Sequence, residues 1–323
     1  MTPSLPLEQI LSDPAAHWRG IITVLNTPFT TENAIDLDGV TRHVAYALEA
    51  GVAGFLVPAL AGEVFELSLT ERRDIVASVA QSVRGRVPII VGTAARDLET
   101  SVTAARDGLA AGADGILVNL AFTEEAAYRE ALQPFVDLDP PMIMIQDWDP
   151  SGTGIPAPFI TQLFAEIPAF TSYKIEVTPA GPKYSEMLDR TQGRLHVAGG
   201  WAVTEMPDGL ARGVHAFMPT GLHYTYTALH RLYGAGNMTA FTALWNELQP
   251  ILKFSNQGLA ISIHFFKHLL HAQRIFDTAR VRTALDTVTD AVRDATPAMV
   301  QAALALEKRA RDQVEQRAGQ QSG

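Results

Sequence analysis

Short apolar runs recur along the chain and alternate with longer stretches whose apolar positions repeat at helical spacing. The runs are GIITVLNT (20–27), GFLVPAL (54–60), PIIVGT (88–93) and GILVNL (115–120), followed by PMIMIQD (141–147), SYKIEV (172–177), LHVAGG (195–200) and VHAFMPT (214–220). None alternates strictly between apolar and polar, which suits strands covered on both faces of a parallel sheet. Each leads into a helical pattern, as with Val40, Val44 and Leu48 after the first. Eight such units predict an α/β chain folded as a (β/α)8 TIM barrel over residues 20–235. Beyond about residue 227 the pattern is helical only. Residues 236–323 are therefore read as a C-terminal helical extension and residues 1–19 as an N-terminal one. AGVAGFLV (50–57) and AGADGILV (111–118) echo each other. In both, the first glycine is expected to close a helix in the left-handed conformation and turn the chain back into the sheet.

Composition narrows the function classes. Of 323 residues, 25 are basic and 35 acidic, a net charge of −10, which argues against a nucleic-acid footprint or an anionic membrane surface. There is no cysteine, so neither disulfides nor thiolate chemistry enter. The first twenty residues show no basic segment leading into an apolar one, and the apolar stretch around GVAGFLVPALAG is too short to span a bilayer. A cytoplasmic protein acting on a small molecule is the expectation.

One stretch is out of place. TSYKIEVTP (171–179) sets Lys174 and Glu176 within a strand expected to be covered on both faces. In a barrel, alternate residues face inward and the C-terminal strand ends carry the chemistry, so Ser172, Lys174 and Glu176 share a face. A lysine pointing outward would snorkel between helices, or would simply pair with Glu176. A lysine in the mouth has another use. Burial disfavours the ammonium, and the neutral amine can attack a ketone to form a Schiff base, an electron sink for the neighbouring carbon.

The order of several short motifs resembles the dihydrodipicolinate synthase / N-acetylneuraminate lyase family of metal-free Schiff-base lyases. They are TPF (27–29), ID (35–36), GE (62–63) with Leu67 and Glu71-Arg72, GT (92–93), AGADGILV (111–118) and PSGTG (150–154), with YKIE (173–176) where that family keeps its Schiff-base lysine. The resemblance implies an imine between Lys174 and a 2-oxo acid, no cofactor and no metal, and a homodimer or homotetramer. The layout from MIQD through SGT and YKIE to Lys183 is similar to a branch that includes dehydratases of 2-keto-3-deoxy sugar acids.

Departures from the family pattern bear on substrate. ALAGE (59–63) stands where the family has GTTGE, so Leu60 and Ala61 offer no hydroxyl, although backbone amides there can hold an anion. NLAF (119–122) lacks the tyrosine expected after the fourth strand, and Asp147 in IQDWDP (145–150) stands in for the one expected at the end of the fifth. Lys174, Asp147 and Glu176 are the candidate catalytic residues, two carboxylates in different environments being able to divide acid and base roles. Asp147 read structurally is a turn residue, and Glu176 a partner of Lys183 or Arg212. Candidate substrate-binding residues are Leu60 and Ala61, then Gly199, Gly200 and Trp201 in AGGWAVTE (198–205), and Thr220 and His223 in MPTGLHYTYTALHR (218–231), which also offers Tyr224 and Tyr226. Glycines after a strand allow close backbone approach and a helix start offers free amides.

His264, His268 and His271 in HFFKHLLH (264–271) have a spacing that can bind zinc, but lack the glutamate of a metalloprotease motif. An interface or packing face is the expectation there. Three readings stay open at this point: dehydration of a 2-keto-3-deoxy sugar acid, retro-aldol cleavage releasing pyruvate, and a barrel that binds an oxo acid without turning it over. The missing tyrosine relay tilts the balance toward dehydration.

Overall fold

Eight parallel strands close on themselves in sequence order. They are β1 Gly20–Val24, β2 Gly54–Leu56, β3 Ile89–Gly92, β4 Gly115–Val118, β5 Ile143–Asp149, β6 Phe170–Val177, β7 His196–Gly199 and β8 Ala216–Phe217. The barrel closes where Gly20 and Ile21 of β1 pair with Ala216 and Phe217 of β8. The helices are α1 Leu7–Ser12, α2 Pro14–His17, α3 Leu37–Ala50, α4 Leu69–Val83, α5 Leu98–Ala110, α6 Glu125–Val136, α7 Ala157–Glu166, α8 Ala180–Thr191 and α9 Met206–Arg212. Four more follow β8: α10 His223–Gly234, α11 Met238–Ser255, α12 Leu259–Ala272 and α13 Asp290–Gln320. The computed structural model describes residues 5–200 and 204–320, with side chains of α13 through Asp312. Trp201 lies outside the described residues. No helix among the described residues is long and apolar enough to cross a membrane.

All eight expected strands are present, with ends shifted by a few residues. β8 is the shortest, because Pro219 has no N–H with which to extend the ladder, although its carbonyl still accepts from Val24 N–H at 2.8 Å. The predicted helix stops also hold. Gly51 closes α3 at φ 84° and Gly112 follows α5 at φ 106°, the left-handed region open to glycine.

The strand period of two divides the buried residues into two layers. Ile22, Val24, Leu56, Ile90, Leu117 and Met144 fill the barrel interior, with Ile10 and Trp18 from the N-terminal segment sealing its lower end. The Trp18 indole donates to Ala53 C=O at 2.8 Å and stacks on His196. Residues of opposite parity, such as Ile21, Phe55, Val91 and Ile145, pack outward under the helices. β5 and β6 form the longest ladder, with Gln146 opposite Lys174 and Trp148 opposite Glu176.

Neutral histidines are part of this packing. His196 sits between Ser172 Oγ, 2.7 Å from Nδ1, and Trp18 C=O, 2.9 Å from Nε2. His223 lies between Thr23 Oγ1 and His43 Nε2 at 3.1 and 3.0 Å. Burial pushes both imidazoles down to about 3, with His215 beside His196 further lowering that ring. His215 is held at about 4, and His43 well below the ordinary imidazole range, first by burial. The unfolded chain takes up the protons of His196, His215 and His223 near pH 6.5 while the folded one refuses them until about pH 3 to 4. Their contribution is therefore complete above pH 6.5 and is lost as pH falls toward those values. Urea denaturation should show a loss of about 1 kcal/mol per histidine between pH 7 and 5.5. A flat stability profile over that window would show that the rings titrate normally.

Candidate active site

A cavity of about 320 Å³ opens at the C-terminal ends of the strands, the end where barrels of this kind carry their chemistry. Its chemical centre comes from β5 and β6. Lys174 is 5% exposed and lies on the inner face of β6. Its Nζ is 3.0 Å from Glu176 Oε2, and the same carboxylate oxygen accepts a hydrogen bond from Gln146 Nε2 on the adjacent strand. Gln146 is therefore the β5 side chain that stands beside the lysine. Gly200 packs against the Glu176 side chain so closely that a Cβ there would collide with the carboxyl group. A glycine is what lets the chain after β7 pass this point.

The β2 loop forms another wall. Ala59, Leu60 and Ala61 line the cavity, and residues 60–62 form a 3-10 turn. Asn26 Nδ2 donates to Ala61 C=O at 2.9 Å and Thr27 Oγ1 donates to Gly62 C=O at 2.7 Å, which fixes the turn. The opening amides of such a turn have no acceptor within it, so an anion can be held there without side-chain hydroxyls. Behind the turn, Glu63 adopts φ 61° and is held by a buried set of donors. Lys267 Nζ of α12 lies 2.7 Å from Glu63 Oε1, and the amides of Arg282 and Thr283 each donate to Oε2 at 2.7 Å. Burial brings the Lys267 ammonium down to about 8 against the pull of the carboxylate.

Asp147 requires a correction. It lies on the outer face of β5, one residue beyond Gln146, and does not line the cavity. Its Oδ1 accepts from Ile155 N–H at 2.9 Å, and its Oδ2 accepts from Tyr173 Oη at 2.5 Å and lies 3.5 Å from Lys183 Nζ. Burial raises the Asp147 carboxyl above the ordinary carboxylate range, against those donors, and lowers the Lys183 ammonium. Lys183 also donates to the carbonyls of Thr153 and Ile155. This group of charges holds the PSGTG segment onto the outside of the barrel. Glu176 accordingly pairs with Lys174 and not with Lys183.

His223 is likewise away from the cavity, in the layer between β1 and the helices. It begins α10 instead of lying in a loop, and its ring nitrogens are taken up by Thr23 and His43. Gly199 faces outward, toward the Tyr184 hydroxyl and Phe217. Thr220 lines the cavity, as do Leu60 and Ala61. His268 Nδ1 lies 2.9 Å from His264 C=O and His271 Nδ1 3.0 Å from Phe276 C=O. Among the described residues no three candidate ligands converge as a metal site.

Several lining residues have no counterpart in the sequence-based expectations. Gln146 is one, and Asn119, Trp148 and Thr93 join it around the mouth. The larger omission is the segment from the end of α11 into α12. Ser255, Asn256, Gly258, Leu259, Ser262 and Phe266 all line the cavity, so the helices after the barrel complete the site.

Comparison with known proteins fits this architecture. A 4-hydroxy-tetrahydrodipicolinate synthase of Kosmotoga olearia is 33% identical over 116 residues, 35% of this chain and 39% of that protein. An L-2-keto-3-deoxyarabonate dehydratase of Azospirillum brasilense is 32% identical over 179 residues, 53% of this chain and 57% of that protein. These matches span less than two thirds of either relative's length. A crystal structure of dihydrodipicolinate synthase from Rhodopseudomonas palustris superposes with a TM-score of 0.80 at 18% identity, covering 90% of this chain and 98% of that one, a likeness of fold. The model of the dihydrodipicolinate synthetase family matches residues 17–303, from the tryptophan-bearing plug of the barrel to the middle of α13. With YKIE carrying its lysine into the mouth of the barrel, the chain belongs to the dihydrodipicolinate synthetase family.

Proposed function

We propose that this protein is a Schiff-base lyase that dehydrates a 2-keto-3-deoxy sugar acid through an imine on Lys174. The observation that carries the reading is the Lys174–Glu176 pair, buried on the inner wall of β6 at the floor of the cavity. A lysine attacks a ketone only as the free amine, and the carboxylate at 3.0 Å is placed to take its proton. The substrate carboxylate is assigned to the opening amides of the turn, those of Leu60 and Ala61, since the Gly62 amide donates to Ala59 C=O at 2.8 Å. Lys174 Nζ then adds to C2 and water leaves, giving a protonated imine. Glu176 removes a proton from C3 to give the enamine, and the electron pair returns to form the C3–C4 double bond as the C4 hydroxyl leaves with a proton as water. Gln146, donating to Glu176, sets the orientation of the carboxylate.

Dehydration is favoured over carbon–carbon cleavage by what surrounds the lysine. Retro-aldol cleavage needs a base on the C4 hydroxyl, the step a phenol relay serves in the family the sequence resembles. Here Gln146 occupies the β5 position beside Lys174, and an amide side chain is no base. The relative from Azospirillum brasilense is named as a dehydratase of a 2-keto-3-deoxy acid, in keeping with this choice. Incubation with 2-keto-3-deoxyarabonate and 2-keto-3-deoxygluconate, followed by mass spectrometry, decides it. Loss of water with no pyruvate released is the expected outcome. Stoichiometric pyruvate would assign the enzyme to the aldolases instead, and an adduct on Lys174 with no turnover of any 2-oxo acid, monoacid or diacid, would favour a barrel that only binds.

A further inference from the structure

We propose that the α11–α12 wall of the cavity is a subsite for a terminal carboxylate, so that the natural 2-oxo acid carries a second anionic group at the end remote from its keto carbon. The proposal rests on the imine reading above and names the substrate class of the same site.

Helix α12 runs for fourteen residues from Leu259 and its N-cap, Gly258, supplies no side-chain acceptor. The first amide of this end to find a partner is that of Ser262, bonded to Gly258 C=O at 2.9 Å. The amides of Leu259, Ala260 and Ile261 precede any intrahelical acceptor. Gly258, Leu259 and Ser262 line the cavity, so this turn meets bound substrate with the positive end of its dipole.

A second, independent observation comes from another helix. Tyr226 of α10 is 1% exposed and lines the same cavity, yet its hydroxyl is neither donor nor acceptor in any hydrogen bond among the described residues. Hydroxyls on buried side chains normally have a hydrogen-bond partner. A phenol open to a binding cavity is satisfied by what enters it. Asn256, two residues before the helix cap, lines the cavity with its Nδ2 buried and without a partner.

The balance of these groups selects the ligand. Helix amides and the Asn256 Nδ2 can only donate, and the Tyr226 and Ser262 hydroxyls are free to donate. Glu176 is the one carboxylate among the described lining residues, and it is tied to Lys174. Sugar hydroxyls would ask for acceptors as well as donors, whereas a carboxylate accepts at every lone pair. The Leu60–Gly62 turn, assigned to the C1 carboxylate, is a separate backbone element.

Calorimetric binding to Lys174→Ala protein reads this subsite without any imine. The probes are 2-oxoglutarate against 2-oxopentanoate and 2-oxoadipate against 2-oxohexanoate, pairs equal in length that differ in the second carboxylate. At one length or both, the diacid should bind at least about tenfold more tightly. That ratio should fall several-fold in a background also carrying Tyr226→Phe and Ser262→Ala, which remove hydroxyls and keep the packing. Equal affinity of diacid and monoacid at both lengths would overturn the proposal. So would a ratio untouched by the two substitutions, or an equal loss for diacids and monoacids, which would place these groups on the C1 carboxylate. Failure of pyruvate to form an adduct on native Lys174 would count against the imine and leave this comparison standing.

Discussion

Lys174→Ala protein is expected to retain its fold and to lose turnover by about 10⁴-fold or more, the scale on which removal of a covalent nucleophile acts. The fold should survive because the lysine sits in a cavity and not in the close-packed interior below it, where Ile22, Leu56 and Met144 fill the barrel. Truncation leaves Glu176 with the Gln146 amide as a donor, so the carboxylate is not stranded. A thermal transition within a few degrees of the native protein, with turnover at background, is the outcome that fits. Glu176→Gln should be milder, slowing turnover by about 10²- to 10⁴-fold through loss of a general base while keeping adduct formation measurable. Substantial activity in the alanine variant would mean that the carbonyl is activated by something other than an imine.

Lys267→Met is expected to destabilise the protein by about 3–5 kcal/mol, because breaking one side of a buried ion pair leaves the other charge uncompensated. Both side chains are fully buried. The ammonium also donates to Thr27 C=O and, at 3.0 Å, to Arg280 C=O, and it lies 4.1 Å from the centre of the Phe29 ring. A loss of that size corresponds to a fall in Tm of roughly 10 °C for a domain of this class. The same change should impair catalysis in whatever protein remains folded, since Glu63 anchors the turn that presents Leu60 and Ala61. Pairing Lys267→Met with Glu63→Leu removes both charges and should recover part of the loss. A single substitution costing under about 1 kcal/mol in chemical denaturation would show that the pair is solvated and does not hold the site together.

How far the sequence could be read depends on which physical signal each residue carries. The eight strands were legible because strands covered on both faces must be apolar throughout, and Lys174 was legible because a charge in such a run needs a reason. That same continuity hid the strand faces. PMIMIQD is apolar at both parities until its end, so nothing in it tells whether Gln146 or Asp147 points inward, and a one-residue offset exchanges the two faces. The motif pointed to Asp147 and the ladder places Gln146 opposite Lys174. Tyr173 and Lys183, both on the outer side, are the residues that account for a buried aspartate there.

His223 illustrates a different limit. A histidine shortly after a strand reads as a loop residue, but α10 begins at that position and turns the ring toward Thr23 and His43, partners that lie far away in sequence. The contribution of α11 and α12 was hidden for the same reason. Their pattern shows which face of each helix is apolar, not that the turn between them lines the mouth of the barrel. The Glu63–Lys267 pair ties the third turn of α12 to the β2 loop, and neither residue alone announces it.

The central claim is that Lys174 forms a covalent imine with a 2-oxo acid. Borohydride reduction in the presence of pyruvate, followed by peptide mapping in a mass spectrometer, tests it most directly. The account predicts one reduced pyruvyl adduct per chain, located on the peptide containing Lys174 and absent from Lys174→Ala protein. An adduct mapped to Lys183 or Lys267, or none with pyruvate or any longer 2-oxo acid, would contradict it.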